Sequence, residues 1–140
     1  MELTIPADDK QLEKVLDFIH QQLPPDCETD IVYKIDLCAE EIFVNIAHYA
    51  YKEKVPQEED ENVWLDCTFE DDTLCMIFSD KGVPFNPLDR PDPDITLSAK
   101  DRRIGGLGIF LTKKYMNSVD YKYENGKNIL TMKKTIFRNH

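Results

Sequence analysis

The dipeptide Asn125-Gly126 stands between two alternating segments, Val119 to Glu124 and Lys127 to Thr135, and it constrains the fold more than any other feature of the chain. A two-residue loop with positive φ at both central residues matches the right-handed twist of paired strands, and Asn-Gly adopts it at little steric cost. The C-terminal third is therefore expected to be an antiparallel hairpin. The strand-like runs Val63 to Phe69 and Thr73 to Ser79, joined by Glu70-Asp71-Asp72, give a second one. Leu3 and Ile5 open a short strand that ends at Pro6, and Asp8 then caps a run with Leu12, Val15, Leu16 and Ile19 on one stripe. Pro24-Pro25-Asp26 breaks that pattern. A longer helix from about 28 to 51 carries Ile31, Ile35, Cys38, Ala39, Ile42, Ile46 and Tyr49. A last helix opens at Gly105-Gly106-Leu107-Gly108 and bears Ile109, Phe110, Leu111 and Met116. Hairpins in place of repeated βαβ units make this an α+β order, with a largely antiparallel sheet and its helices on one face.

The chain's 140 residues suit one domain over 1–140. Seventeen Lys and Arg against twenty-seven Asp and Glu leave a net charge of −10, which repels a phosphate backbone, and the short basic clusters Lys113-Lys114 and Lys133-Lys134 do not segregate into a patch; nucleic acid is not an expected partner. No run approaches the roughly 18 apolar residues of a membrane span, and Met1-Glu2-Leu3-Thr4-Ile5 lacks a basic leader, so neither membrane insertion nor secretion is expected. A cytoplasmic setting with reduced thiols follows. Cys27, Cys38, Cys67 and Cys75 show no CxxC pairing that would hold zinc. Cys67 and Cys75 can face each other across the first hairpin as a disulfide, or serve as two small buried hydrophobes.

Three polar groupings interrupt this scaffold. On the long helix Glu41, Asn45 and His48 are spaced by four and three residues and, at about 100° per residue, share one face, with Glu40 turned away. An amide oxygen there can ligate magnesium while a carboxylate one turn off deprotonates a hydroxyl or water; an exposed helix face would carry the same spacing. Asp80-Lys81-Gly82-Val83-Pro84-Phe85 follows a strand directly. A carboxylate at a strand end can accept from a purine amino group and a nearby glycine admits close backbone approach, yet a plain Asp-x-Gly turn reads the same. Arg102-Arg103-Ile104-Gly105-Gly106-Leu107-Gly108 offers arginines and bare N–H groups at a helix start, a setting for phosphate or for tight packing. No Gly-Lys-Ser/Thr follows, so it is not a Walker loop. Between the last two lies Asn86 to Ile104, about twenty residues with three prolines and no period, a length that compact domains keep mainly for function.

In this order and at these intervals, over nearly the whole chain, the three groupings resemble the GHKL (Bergerat-fold) ATPases, most closely their small bacterial branch of anti-sigma-factor serine/threonine kinases. The resemblance implies a two-layer α/β sandwich with a mixed, mostly antiparallel sheet, and an ATP lid at about 86–104. It implies ATP and Mg²⁺ as cofactors. Glu41 would be the base that activates a Ser or Thr hydroxyl, Asn45 the magnesium ligand, and Asp80 the adenine-recognising group, with Gly82 and Phe85 in the same box. Arg103 and the amides of Gly105, Gly106, Leu107 and Gly108 would cradle the phosphates, and Asn128 would support the adenine site. His48 stands one position earlier than the histidine that follows the asparagine in those kinases and is assigned no role. The partner implied is a protein, an antagonist-type phosphoacceptor and with it a sigma-like factor; a homodimer is compatible.

Two activities fit these residues. One is a kinase that phosphorylates a Ser or Thr of its partner and needs Glu41 as base. The other is a regulatory module in which ATP alters partner affinity with little transfer. The catalytic piece of a sensor histidine kinase fits less well, since 140 residues leave no room for a dimerisation helix with a phosphorylatable His.

Overall fold

In a computed structural model, which describes residues 1–51, 61–89 and 106–137, five strands form one sheet: β1 (Glu2–Pro6), β2 (Asn62–Glu70), β3 (Thr73–Asp80), β4 (Ser118–Glu124) and β5 (Lys127–Thr135). They lie in the order β1-β2-β3-β5-β4, and every pairing is antiparallel. Three helices, α1 (Leu12–Gln22), α2 (Thr29–Asn45) and α3 (Gly106–Tyr115), complete the described elements apart from short turns. Strand alternation selects the inward face: Val63, Leu65 and Cys67 of β2, Leu74, Met76 and Phe78 of β3, and Leu130 and Met132 of β5 are all buried. Val15 and Ile19 of α1, Ile35, Cys38, Ala39, Ile42 and Phe43 of α2, and Ile109 of α3 close the same core. The fold is thus a helical layer on one face of an antiparallel sheet, the two-layer α+β order that the hairpins imply.

Both hairpin turns take positive φ at two central residues. At Asn125 (54°) and Gly126 (77°) this is the expected geometry, whereas Asp71 (52°) and Asp72 (60°) adopt it without a glycine. A left-handed L-residue costs about 1–2 kcal/mol, least for Asp and Asn with their short polar side chains. The turn keeps its backbone engaged: the Thr73 hydroxyl donates to the Asp71 carbonyl (3.3 Å) and the Ile136 N–H to the Asp72 carbonyl (2.8 Å).

The β2–β3 register overturns the cross-strand cysteine pair. Cys67 lies opposite Met76 and Cys75 opposite Thr68, so the two are one position out of step. With a side-chain period of two, that sends them to opposite faces. Cys67 is buried in the core, where burial pushes its thiol up to about 12, Cys75 is half-buried on the other face, and all four cysteines are free.

Asp8 caps a 3-10 turn over Asp9–Gln11, accepting from the Lys10 N–H (3.0 Å), and this turn leads into α1. At its other end α2 does not stop at Asn45 but loosens into a π-helical turn, Ile46–Ala50. No helix among the described residues is long and apolar enough to cross a membrane.

Candidate functional site

The β3–β5 register sets Asp80 directly beside Asn128. Both occupy inward positions where alternation would place apolar residues, and both are buried, with 4% and 7% of their surface exposed. Burying a carboxylate is costly unless donors surround it. Here Asp80 Oδ1 accepts from the Gly82 N–H (2.8 Å) and from Asn128 Nδ2 (2.9 Å). Asn128 Nδ2 also donates to the Val83 carbonyl (2.9 Å), while its Oδ1 accepts from the Phe85 N–H (3.0 Å) and from the Tyr121 hydroxyl. Burial pushes the Tyr121 phenol above its ordinary range, which keeps the hydroxyl a proton donor.

The π-helical turn braces this loop from the helical layer. The Ala50 carbonyl accepts from the Val83 N–H (3.0 Å), and a Cβ placed on Gly82 would lie 2.2 Å from that same oxygen. Gly82 is therefore required by close approach of two backbones. The Tyr51 hydroxyl donates to the Asn62 carbonyl and accepts from the Lys81 N–H (2.9 Å). Burial is the main reason that its phenol is pushed up to about 12.

Between these elements lies a cavity of about 320 Å³, within the size range of small-molecule sites. Its wall is mostly apolar, including Ile42, Ile46, Phe78, Val83 and Leu130, with polar groups from Asn45, Asp80, Tyr121 and Asn128. Tyr49 and Phe85 also line it while staying 44% and 43% exposed.

Beyond Asn45 the site continues along α2. Asn45 Nδ2 donates to Glu41 Oε1 (3.1 Å), so the four-residue spacing does place amide and carboxylate together and turns the Asn45 carbonyl oxygen away from Glu41. Glu41 also lies against the first turn of α3: a Cβ on Gly108 would meet its Cδ at 2.1 Å and its Oε2 at 2.2 Å. A carboxylate at a helix start sits in the favourable end of the peptide dipoles. Gly108 is held in turn by Thr112, a buried residue whose hydroxyl donates to the Gly108 carbonyl (2.8 Å).

The structure thus gathers Asn45, Asp80, Phe85 and Asn128 around one cavity, with Gly82 bracing its loop and Glu41 joined to Asn45 and packed on Gly108. Gly106 and Leu107 contribute backbone to the same first turn of α3. Arg103, Gly105 and the expected lid beyond residue 89 lie outside the described residues; the lid's first part contains a 3-10 turn at Pro87–Asp89. His48 does not join this face. The π-helical turn has more residues per turn than the α-helix, so the phase that carries Glu41 to Asn45 is lost beyond Asn45. His48 Nε2 instead bonds Asp9 Oδ2 (3.0 Å), whose carboxyl this contact holds below the usual range.

Sequence reasoning missed Tyr121, Tyr49 and Tyr51. A signal for Tyr121 was present: the Asn125-Gly126 turn pairs Tyr123 with Asn128 and Tyr121 with Leu130, which makes Tyr121 a same-face diagonal neighbour of Asn128.

The profile of the histidine kinase-like ATPase domain family matches residues 5–134. Among curated proteins, the chain is 25% identical over 100 residues to the serine/threonine-protein kinase BtrW of Bordetella bronchiseptica, covering 71% of this chain and 68% of that one. It is 27% identical over 108 residues to the serine-protein kinase RsbW of Listeria monocytogenes, covering 74% and 66%. The chain therefore spans about two thirds of the length of these relatives. Among solved structures, the histidine kinase domain from the Erythrobacter litoralis EL346 blue-light activated histidine kinase superposes with a TM-score of 0.58 at 12% identity, over 94% of this chain and 62% of that one, a likeness of fold.

Proposed function

This chain belongs to the histidine kinase-like ATPase domain family, and from that premise we propose that it binds ATP in the cavity between α2 and the β3–β5 end and transfers the γ-phosphoryl group to a Ser or Thr of a partner protein. The observation that carries the reading is the continuity from a buried acceptor, Asp80, through Asn45 to a carboxylate, Glu41, that abuts a helix start. Adenine would enter the apolar part of the cavity with its amino group toward Asp80. The phosphates would extend past Asn45 toward the first turn of α3, whose backbone N–H groups suit anions. Arg103 and Gly105 belong to this proposal as phosphate-binding residues, along with Gly106, Leu107 and Gly108.

In the transfer step Glu41 takes the proton of the acceptor hydroxyl, the new O–P bond forms to the γ-phosphorus, the bond to the bridging oxygen breaks, and ADP leaves with those electrons. The protein's share of such a reaction is positioning and charge neutralisation. A magnesium ion fits the donor set. Mg²⁺ retains waters and phosphate oxygens and asks little of the protein, the Asn45 amide oxygen is turned away from Glu41 on the cavity wall, and no cluster of three acidic, His or Cys ligands exists among the described residues. When bound it would neutralise phosphate charge, which a chain of net charge −10 otherwise opposes. The proposal includes residues 1–140 working as one domain, in the cytoplasm, on an antagonist-type acceptor protein and a sigma-like factor.

Glu41→Gln tests the kinase reading against a purely regulatory one. Transfer to an acceptor protein should fall by about 10²–10⁴-fold, the usual worth of a general base, while ATP affinity changes little. Transfer that survives the substitution would exclude Glu41 as base, and a wild-type chain that alters partner affinity with ATP but never transfers phosphate would establish the regulatory module.

A further inference from the structure

We infer that Tyr121 is a positioning residue that gives this cavity its preference for an amino-bearing purine over one with a carbonyl at the same place. The inference rests on the ATP-binding reading above. The two ends of an Asn carboxamide are nearly isosteric, so which end faces Asp80 decides whether the wall presents donors or acceptors. All the partners of Asn128 agree on one orientation. Nδ2 faces Asp80 Oδ1 and the Val83 carbonyl, and Oδ1 faces the Phe85 N–H and the Tyr121 hydroxyl.

Tyr121 differs from the other partners because it alone reaches Asn128 from β4, and it lines the cavity as well. A phenol has one proton, and here that proton is donated to Asn128 Oδ1. Toward the cavity the hydroxyl can therefore offer only oxygen lone pairs. Asp80, ordered by Gly82 and Asn128, likewise offers acceptor oxygen. An exocyclic amino group brings donors to this wall and is accepted. A purine carbonyl brings another acceptor and is opposed. Removing the hydroxyl takes one opposing lone pair from the wall and one of the contacts that position Asn128, whose orientation Asp80, Val83 and Phe85 continue to hold.

The test is titration of the full chain with ATP and with inosine triphosphate, which carries a carbonyl in place of the amino group, for wild type and Tyr121→Phe. Wild type should prefer ATP, and the substitution should shrink the ratio of the two affinities by about 3–10-fold, the worth of one hydrogen bond. A merely structural role for Tyr121 would weaken both nucleotides equally and leave the ratio alone, and that outcome overturns the inference, as would equal binding of both nucleotides by wild type. Asn128→Ser removes the acceptor that the hydroxyl serves and should shrink the same ratio, which keeps the test available if Tyr121→Phe does not fold. A wild-type chain that binds neither nucleotide would instead defeat the ATP-binding reading.

Discussion

The two ends of the candidate site are built to different standards of rigidity. At the proposed base end Asp80, Asn128, Gly82, Val83, Phe85 and Tyr121 share a set of hydrogen bonds centred on the buried Asp80 and Asn128, braced by backbone contact with Ala50. At the proposed transfer end Glu41 and Asn45 are half-buried and joined by a hydrogen bond along one helix, with Glu41 pressed by side-chain atoms on Gly108. A recognition site gains from donors and acceptors fixed beforehand, because a ligand with the wrong pattern then leaves them unpaired. A group that must accept a proton needs placement and also room for the acceptor hydroxyl to approach.

Five substitutions probe that contrast, beginning with the largest expected effect. The loss of transfer in Glu41→Gln should be separable from nucleotide affinity because Glu41 does not line the base cavity. The glycine pair comes next. Gly108→Ala puts a methyl group against the flexible end of Glu41, so the carboxylate should move while the fold survives. Transfer should fall by about 10–100-fold, since misplacement by an ångström can cost that much. Gly82→Ala puts the methyl against the Ala50 backbone, which has no cheap way to yield. Overpacking costs about 1–3 kcal/mol, a drop in Tm of roughly 3–10 °C for a chain this size, and nucleotide affinity should fall with it. Thermal melts and titrations of the two variants would blur the contrast if Gly108→Ala proved the less stable.

Alkaline pH reads the base end in a third way. The folded-state pKa of Tyr51 is raised from an ordinary 10 to about 12, so the protonated phenol is the form that the fold favours. Its contribution is complete below about pH 10 and is lost as pH rises toward 12, at most about 2–3 kcal/mol. Denaturation across that window should show a steeper loss in wild type than in Tyr51→Phe; parallel curves would remove the phenol from the account. The smallest effect belongs to Asp9→Asn. It breaks an exposed pair with His48 that touches neither end, and ATP affinity should stay within about twofold.

Much of the scaffold was legible before any coordinates, because its elements announce themselves locally. Asn125-Gly126 fixes a turn and through it a register; the Val15 and Ile19 stripe and the Glu41–Asn45 spacing obey helical periodicity. What escaped depends on departures from that periodicity or on contacts distant along the chain. The π-helical turn moves His48 to Asp9 and brings the Ala50 carbonyl to Gly82, and no residue type in Ile46 to Ala50 signals it. Asp71 and Asp72 take left-handed φ without glycine because the hairpin demands it. Asp80 stands out in the sequence as a polar residue just past a strand and Asn128 only through the family resemblance, and their adjacency needs β3 to pair with β5 across an intervening helix and strand, a choice of topology that local pattern leaves open. Tyr121 escaped because its part depends on Asn128 across the β4–β5 pair.

The side-chain amide signals of Asn45 and Asn128 offer the most direct measurement of whether both ends serve one ligand. Followed by two-dimensional NMR during titration with ATP and magnesium, both should shift along one saturation curve with a common midpoint. If only one of the two responds, or they respond at different nucleotide concentrations, the two ends do not form one site.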